Sequence, residues 1–191
     1  MSALRGFLLS TLIWLPICFG AWYFLSILFT PPLAALVDTV LSAGFPSVIE
    51  RVLADGNSLT VLTRIQPAAT DRAGELLFDL NPLKYGYCVP LYTALVLATA
   101  ADDWKRALHW LLGMIVLLAV QVFGISAEIL KVIAFQLGAD GRAALDFAPW
   151  GYEVVALAYQ LGYLILPSVV PIMLWLAQLG QIKPFDRRVG A

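Results

Sequence analysis

The sequence predicts an α-helical membrane protein with four transmembrane helices, an extracytoplasmic β-hairpin and short interfacial helices. Three observations carry this reading. Of the 191 residues, 61% are apolar and 13% charged, against roughly half and about a quarter in an ordinary soluble domain. The mean hydropathy is +0.84. Apolar stretches at about 6–29, 85–101, 107–137 and 152–179 have the length that crossing a bilayer demands. A run of period two at about 57–81 separates the first stretch from the second, and residues 1–191 are expected to form a single polytopic domain whose first partner is the lipid bilayer. A net charge of -1, from 12 Lys plus Arg against 13 Asp plus Glu, leaves no basic field for a phosphate backbone, so nucleic acid is excluded as a partner. The two cysteines, Cys18 and Cys88, lie in different apolar stretches and make neither a disulfide framework nor a CxxC site. No metal or other cofactor is expected.

The first span follows Arg5 and covers residues 6–29, about 24 residues that at 1.5 Å each reach ~36 Å, enough for a ~30 Å hydrocarbon core. A cleaved signal peptide would have an apolar region of about 7–15 residues followed by an A-x-A-like site, and neither feature is present. Ile17 stands directly before Cys18, where a lipoprotein signal has a small residue, so the segment reads as retained. After Thr30-Pro31-Pro32, apolar residues recur at helical spacing (Leu33, Leu36, Val37, Val40, Leu41) until Gly44 and Pro46 break the pattern. Over 33–54 this is the pattern of short interfacial helices.

The period then becomes two. Leu59, Val61, Thr63 and Ile65 share one face of a first strand, and beyond 67–74 Leu76, Phe78 and Leu80 share one face of a second. Asp55-Gly56-Asn57 is a turn signal into the first strand, and Asn81-Pro82 ends the second. In lipid the hairpin's edges would go unsatisfied, so it belongs in water or against protein. A lone hairpin is marginal in water. Its Leu76, Phe78 and Leu80 face is therefore expected to pack on the interfacial helices, leaving one edge free, with Thr60 and Thr63 as the positions where proline would remove ladder donors.

The second span, 85–101, is cut off by Asp102-Asp103-Trp104-Lys105-Arg106. The third, 107–137, would measure ~46 Å as a helix, so its end should project past the lipid or tilt. In the fourth, 152–179, Pro167 and Pro171 predict a kink, and residues 183–191 form a tail. With the N-terminus inside, Arg5, Lys105, Arg106, Lys183, Arg187 and Arg188 all fall on the cytoplasmic side. Arg51, Arg64, Arg72 and Lys84 fall outside. That bias favours both termini cytoplasmic and puts the hairpin and the 140–150 loop outside, with Trp150 and Tyr152 at the interface.

Cys88 is the candidate nucleophile. It lies near the outer start of the second span, four residues after Lys84, whose charge would favour the thiolate. A cysteine in a membrane helix ordinarily behaves as a small hydrophobe. The single histidine, His109, follows the cytoplasmic loop, about a membrane thickness (~30 Å) from Cys88, too far to act as its base. A polar cluster is expected from Gln121, Ser126, Glu128 and Lys131 on the third span with Tyr159 and Gln160 on the fourth, where Glu153 and Tyr163 also occupy the outer half. Glu128 and Lys131, at i,i+3, are placed to pair. Glu128 lies ~31 Å beyond Ala107, near the outer interface, where either a solvated pair or a functional cluster suits it.

An outside hairpin opened by a Gly-Asn turn, a cysteine at the outer start of a span, a charged inner loop, a long helix reaching Gly138 and a last span with Gln160-Leu161-Gly162 resemble the exosortase/archaeosortase superfamily of membrane transpeptidases. The signature of that superfamily is Cys-Ser-Gly, then Asn-x-x-Arg, then His-x-x-x-Gly. Here Cys88 precedes Val89-Pro90-Leu91, and Asn81-Pro82-Leu83 is an alternative positional match. Ser126 or a neighbour stands where the arginine would fall, with Lys131 the nearest cation, and Ala158 or Tyr159 where the histidine would. The triad is not intact.

The remaining pattern is similar to the exosortase H-associated membrane proteins. It is carried by 80–87 (Leu-Asn-Pro-Leu-Lys-Tyr-Gly-Tyr), 121–124 (Gln-Val-Phe-Gly), 130–136 (Leu-Lys-Val-Ile-Ala-Phe-Gln) and 159–167 (Tyr-Gln-Leu-Gly-Tyr-Leu-Ile-Leu-Pro), in that order. The resemblance implies a non-catalytic accessory protein of the bacterial inner membrane, partnered with an exosortase and its sorting-signal substrate. Two other classes stand beside it. One is a membrane cysteine transpeptidase or peptidase using Cys88 with Tyr159 or Glu128 assisting. The other is a small transport or scaffold subunit whose polar path is Gln121, Glu128 and Lys131.

Overall fold

The computed structural model of the protein describes residues 2–66, 76–99 and 102–178. The expected connection at 67–74, the last residues of the second and fourth spans and the tail at 183–191 lie outside the described residues.

The first span and the helical part of the expected interfacial region are one helix, α1 (Ser2–Gly44), with Pro16, Pro31 and Pro32 inside it. Each interior proline costs a helix about 3 kcal/mol. The apolar period resumes in register beyond Pro32, so Leu33, Ala34, Val37 and Leu41 all become buried. At roughly 1.5–3 kcal/mol per large side chain, that burial is of the same order as the two proline penalties. The expected break is therefore absent, and α1 extends past a membrane thickness to carry the sheet.

The expected hairpin is a three-stranded antiparallel sheet in the order β1 (Ile49–Asp55), β2 (Ser58–Thr63), β3 (Leu77–Leu80). β1 occupies part of the region expected to be helical. Its period-two signal is hidden by a register shift between Ile49 and Arg51, which leaves Ile49 and Val52 as its buried residues, three positions apart. Gly56-Asn57 closes the β1–β2 turn beyond the pair Asp55↔Ser58, with Gly56 at φ +57° in the first central position, where a type II′ turn requires glycine. β2 is the central strand, so Thr60 and Thr63 do not lie on a free edge. The expected inward face is found: Leu59, Val61, Ile65 and Leu80 join Leu33, Val37 and Leu41 in one core, against which Leu76 and Phe78 pack. On the β1 side the Val52 N–H donates to Asp38 Oδ1 of α1 at 2.7 Å, and at the turn Ser26 Oγ lies 3.3 Å from Asn57 Oδ1.

The second span is shorter than expected. A single turn, α2 (Leu83–Gly86), leads through Tyr87 into α3 (Cys88–Ala98). The long third helix is found as α4 (Asp103–Phe135), and beyond it the expected outer loop contains a helix of its own, α5 (Gly138–Leu145). The last span is α6 (Pro149–Gln160), a π-helical turn over Leu161–Ile165, and α7 (Leu166–Gln178). The irregularity predicted there takes the form of that widened turn, directly before Pro167, whose missing N–H already interrupts the i→i−4 ladder. Three helical stretches, in α1, α4 and α6–α7, are long and apolar enough to cross a membrane, while Leu83–Ala98 is a shorter apolar helix.

The start of α1, the end of α3 with Thr99 and the end of α7 meet at one end of the molecule. Phe7 stacks on Trp175 at 5.1 Å, Trp175 Nε1 donates to Thr99 Oγ1 at 2.8 Å, and Tyr92 Oη lies 2.5 Å from the Gln178 side-chain amide. The sheet lies toward the other end, against the C-terminal parts of α1 and α4.

Candidate functional site

Asn81 Oδ1 accepts the Leu83 N–H at 2.9 Å, and this turn starts α2 so that Lys84 and Tyr85 reach α4 and the π turn. Lys84 Nζ forms an ion pair with Glu128 Oε1. The two side chains differ in hydration: that of Lys84 is 35% exposed and that of Glu128 only 6%. The ammonium also lies 5.7 Å from the ring of Tyr85 and 6.0 Å from that of Tyr163. Tyr85 packs edge-to-face on Tyr163 at 5.9 Å, Tyr163 stacks on Tyr159 at 5.7 Å, and Lys131 Nζ sits 4.7 Å over the Tyr159 ring. Two cations, one carboxylate and three phenols thus form a continuous site.

The backbones beneath it approach closely. A Cβ on Gly124 would stand 2.6 Å from Tyr85 Cδ1 and 2.9 Å from the Gly162 carbonyl oxygen. Glycine at both positions lets α4 cross the π turn while Tyr85 fills the remaining space. Glu128 Oε2 and the Tyr85 hydroxyl are buried with no close hydrogen-bond partner of their own among the described residues, and the hydroxyl interacts with the Glu128 carboxylate, the one acceptor it faces at longer range.

Of the expected cluster, Glu128, Lys131 and Tyr159 are brought together. Glu128 pairs with Lys84 rather than with Lys131 as expected, because α2 delivers an ammonium to the buried face of α4 while Lys131 turns to Tyr159. Gln121 is buried lower on α4, its Nε2 donating to Leu117 O at 3.4 Å beside a small gap lined by Trp22, Ser26 and Thr30. Ser126 lines a different cavity, and Gln160 and Glu153 are exposed. Tyr163, expected on the outer half of the fourth span, joins them, and the residues that the expected cluster lacked are Lys84 and Tyr85. Both stand in the Asn-Pro-Leu-Lys-Tyr run, but nothing in local spacing links Lys84 to Glu128, 44 positions away.

Cys88 is fully buried with Val89, Tyr92, Val96 and Leu117, and its thiol donates to the Tyr85 carbonyl at 3.3 Å. His109 Nδ1 lies 2.7 Å from the Lys105 carbonyl oxygen. The two side chains take different partners, and neither is hydrogen-bonded to the other. Among the described residues no group of three or more His, Cys, Asp or Glu is placed to hold a metal ion.

Long apolar helices carrying a small sheet against one end define a membrane-embedded helical protein. The chain belongs to the exosortase H-associated membrane protein family, whose model matches residues 1–181. Neither a curated protein nor a solved structure matches it.

Proposed function

We propose that the protein is a non-catalytic accessory of an exosortase-type protein-sorting system. It sits in the bacterial inner membrane as one polytopic domain of four spans, Leu83–Ala98 being the shortest, with both termini cytoplasmic and the sheet outside. Its family membership supports the association. The observation that carries the mode of action is the edge strand β3. Among the described residues no fourth strand pairs with it, whereas the β1 edge already gives its Val52 N–H to Asp38. Thr63 N–H donates to Leu76 O at 3.1 Å, so by the alternation of an antiparallel ladder Leu77 and Asp79 turn their N–H and C=O groups away from β2. An extended sorting signal adding there as a strand gains backbone hydrogen bonds that demand little sequence specificity.

Crosslinking and co-purification from native membranes in mild detergent test this. The protein is expected to bring down an exosortase or its substrate, and Leu77→Pro, which removes an outward donor, is expected to abolish substrate capture while leaving the fold intact. Failure of the wild-type protein to recover either partner overturns the accessory reading. Undiminished capture by a folded Leu77→Pro variant overturns edge recognition alone.

A further inference from the structure

The strand β3 (Leu-Phe-Asp-Leu) carries one charge, and it stands at the free edge. Leu77 and Asp79, whose N–H and C=O groups point away from β2, project their side chains from the outer face of the sheet, where Leu77 is 62% exposed and Asp79 is exposed as well. Phe78, between them, turns to the core side and is half-buried. The Asp79 carboxylate is held in place. Thr60, directly opposite on β2, donates from Oγ1 to Asp79 Oδ1 at 2.7 Å, which orients the second oxygen without using it. No ion pair among the described residues includes Asp79.

This pattern sets what an added strand must bring. In an antiparallel partner the residues directly opposite Asp79 and Leu77 stand two apart and share the outer face with them, while the residue between lies beside Phe78 on the inner face. Side chains directly opposite in a sheet have Cβ atoms about 5 Å apart, close enough for an ammonium or guanidinium to meet a carboxylate, and like charges there repel. A basic residue therefore suits the first position. Apolar residues suit the other two, against Phe78 and Leu77. A second copy of this chain is a poor occupant, because antiparallel pairing of two β3 edges in the register of fullest overlap sets each Asp79 against Leu77 of the other copy. A shift by two residues opposes the two carboxylates.

We infer that the β3 edge selects an extended peptide that reads, from N to C, basic, apolar, apolar, and that Asp79, opposite the basic residue, is the specificity-determining residue of the edge; this rests on the strand addition proposed above. The test uses the full-length protein in mild detergent and three N-acetylated, C-amidated peptides, Ser-Thr-Lys-Val-Leu-Thr-Ser and the same sequence with Gln or Glu in place of Lys. Competition against a fluorescent Lys peptide gives the affinities, and hydrogen exchange at the Leu77 and Asp79 amides reports the site. Wild type is expected to bind the Lys peptide about twofold to fivefold more tightly than the Gln peptide, and the Glu peptide more weakly than either, the worth of one cross-strand pair. Asp79→Asn, which keeps an acceptor for Thr60, is expected to level the three, and Asp79→Lys to reverse their order. Equal affinities in wild type, or a Lys preference that survives in either variant, overturn the charge selection and leave edge recognition standing. Failure of every peptide to protect the two amides, or amides already protected before peptide is added, overturns edge recognition and this inference with it.

Discussion

The two halves of α4 are both largely apolar but have opposite surroundings. Before Val120 only Gly113 and Leu117 are buried; from Val120 to Ala134 eleven positions are, including Gln121, Ser126 and Glu128. The first half meets α3 through Tyr92, whose hydroxyl donates to the His109 carbonyl at 2.8 Å, and leaves Leu108, Leu111, Leu112 and Ile115 exposed. The second half is held by the core that includes the sheet, α5 and the π turn. Lipid and protein interior both accept leucine, so composition alone does not distinguish a face that solvates a membrane from one that organises a fold. Polar residues and glycines mark the difference, because each needs a specific neighbour.

The strongest way to break this comparison is to enlarge the crossing. Gly124→Leu is expected to cost about 3 kcal/mol or more, since neither the Tyr85 ring nor the Gly162 backbone has room to retreat. Gly20→Leu, with nothing within 4 Å of its Cβ position, should change stability by less than about 0.5 kcal/mol. Thermal unfolding in detergent measures both, and equal melting of the two variants would remove the distinction drawn here.

A somewhat smaller effect should separate the two partners of the ion pair. Lys84→Met strands a carboxylate that is almost wholly buried and should cost about 3 kcal/mol. Glu128→Gln leaves an ammonium that is 35% exposed and hydrates in place, so about 1 kcal/mol is expected. If the glutamine variant proves the less stable, the interaction of Glu128 with the Tyr85 hydroxyl outweighs its pairing with Lys84. Asp38→Ala should cost about 1 kcal/mol by releasing the Val52 N–H to water, with faster hydrogen exchange at β1 as the local readout.

Cys88→Ser sharpens the comparison from the other cluster. A hydroxyl there keeps the bond to the Tyr85 carbonyl, so the stability loss should stay below about 1 kcal/mol and sorting in cells should be unchanged. Loss of sorting with the fold retained would make the thiol a nucleophile and end the non-catalytic reading.

Much of the architecture could be read locally. Apolar runs mark α4 and α6–α7, the Gly56-Asn57 turn lies where its residues predict, and alternation assigns Leu59, Val61, Phe78 and Leu80 to the inner face of the sheet. The ordered motifs of the last two thirds of the chain also point to the family whose model matches it. These are properties of consecutive residues: period, turn chemistry and order.

What depends on the covering element is decided only by the tertiary structure. Pro31-Pro32 looks like a helix end until the sheet buries Leu33, Val37 and Leu41, and β1 looks helical until β2 pairs with it across a bulge. Glu128 has a cation three residues along its own helix and takes another 44 positions away. The i,i+3 spacing brings Lys131 within reach, but only folding determines that the carboxylate is buried on the side where α2 supplies Lys84. Periodicity records which residues share a face, whereas the free energy of a buried charge, proline or hydroxyl is set by the groups that come to lie against that face.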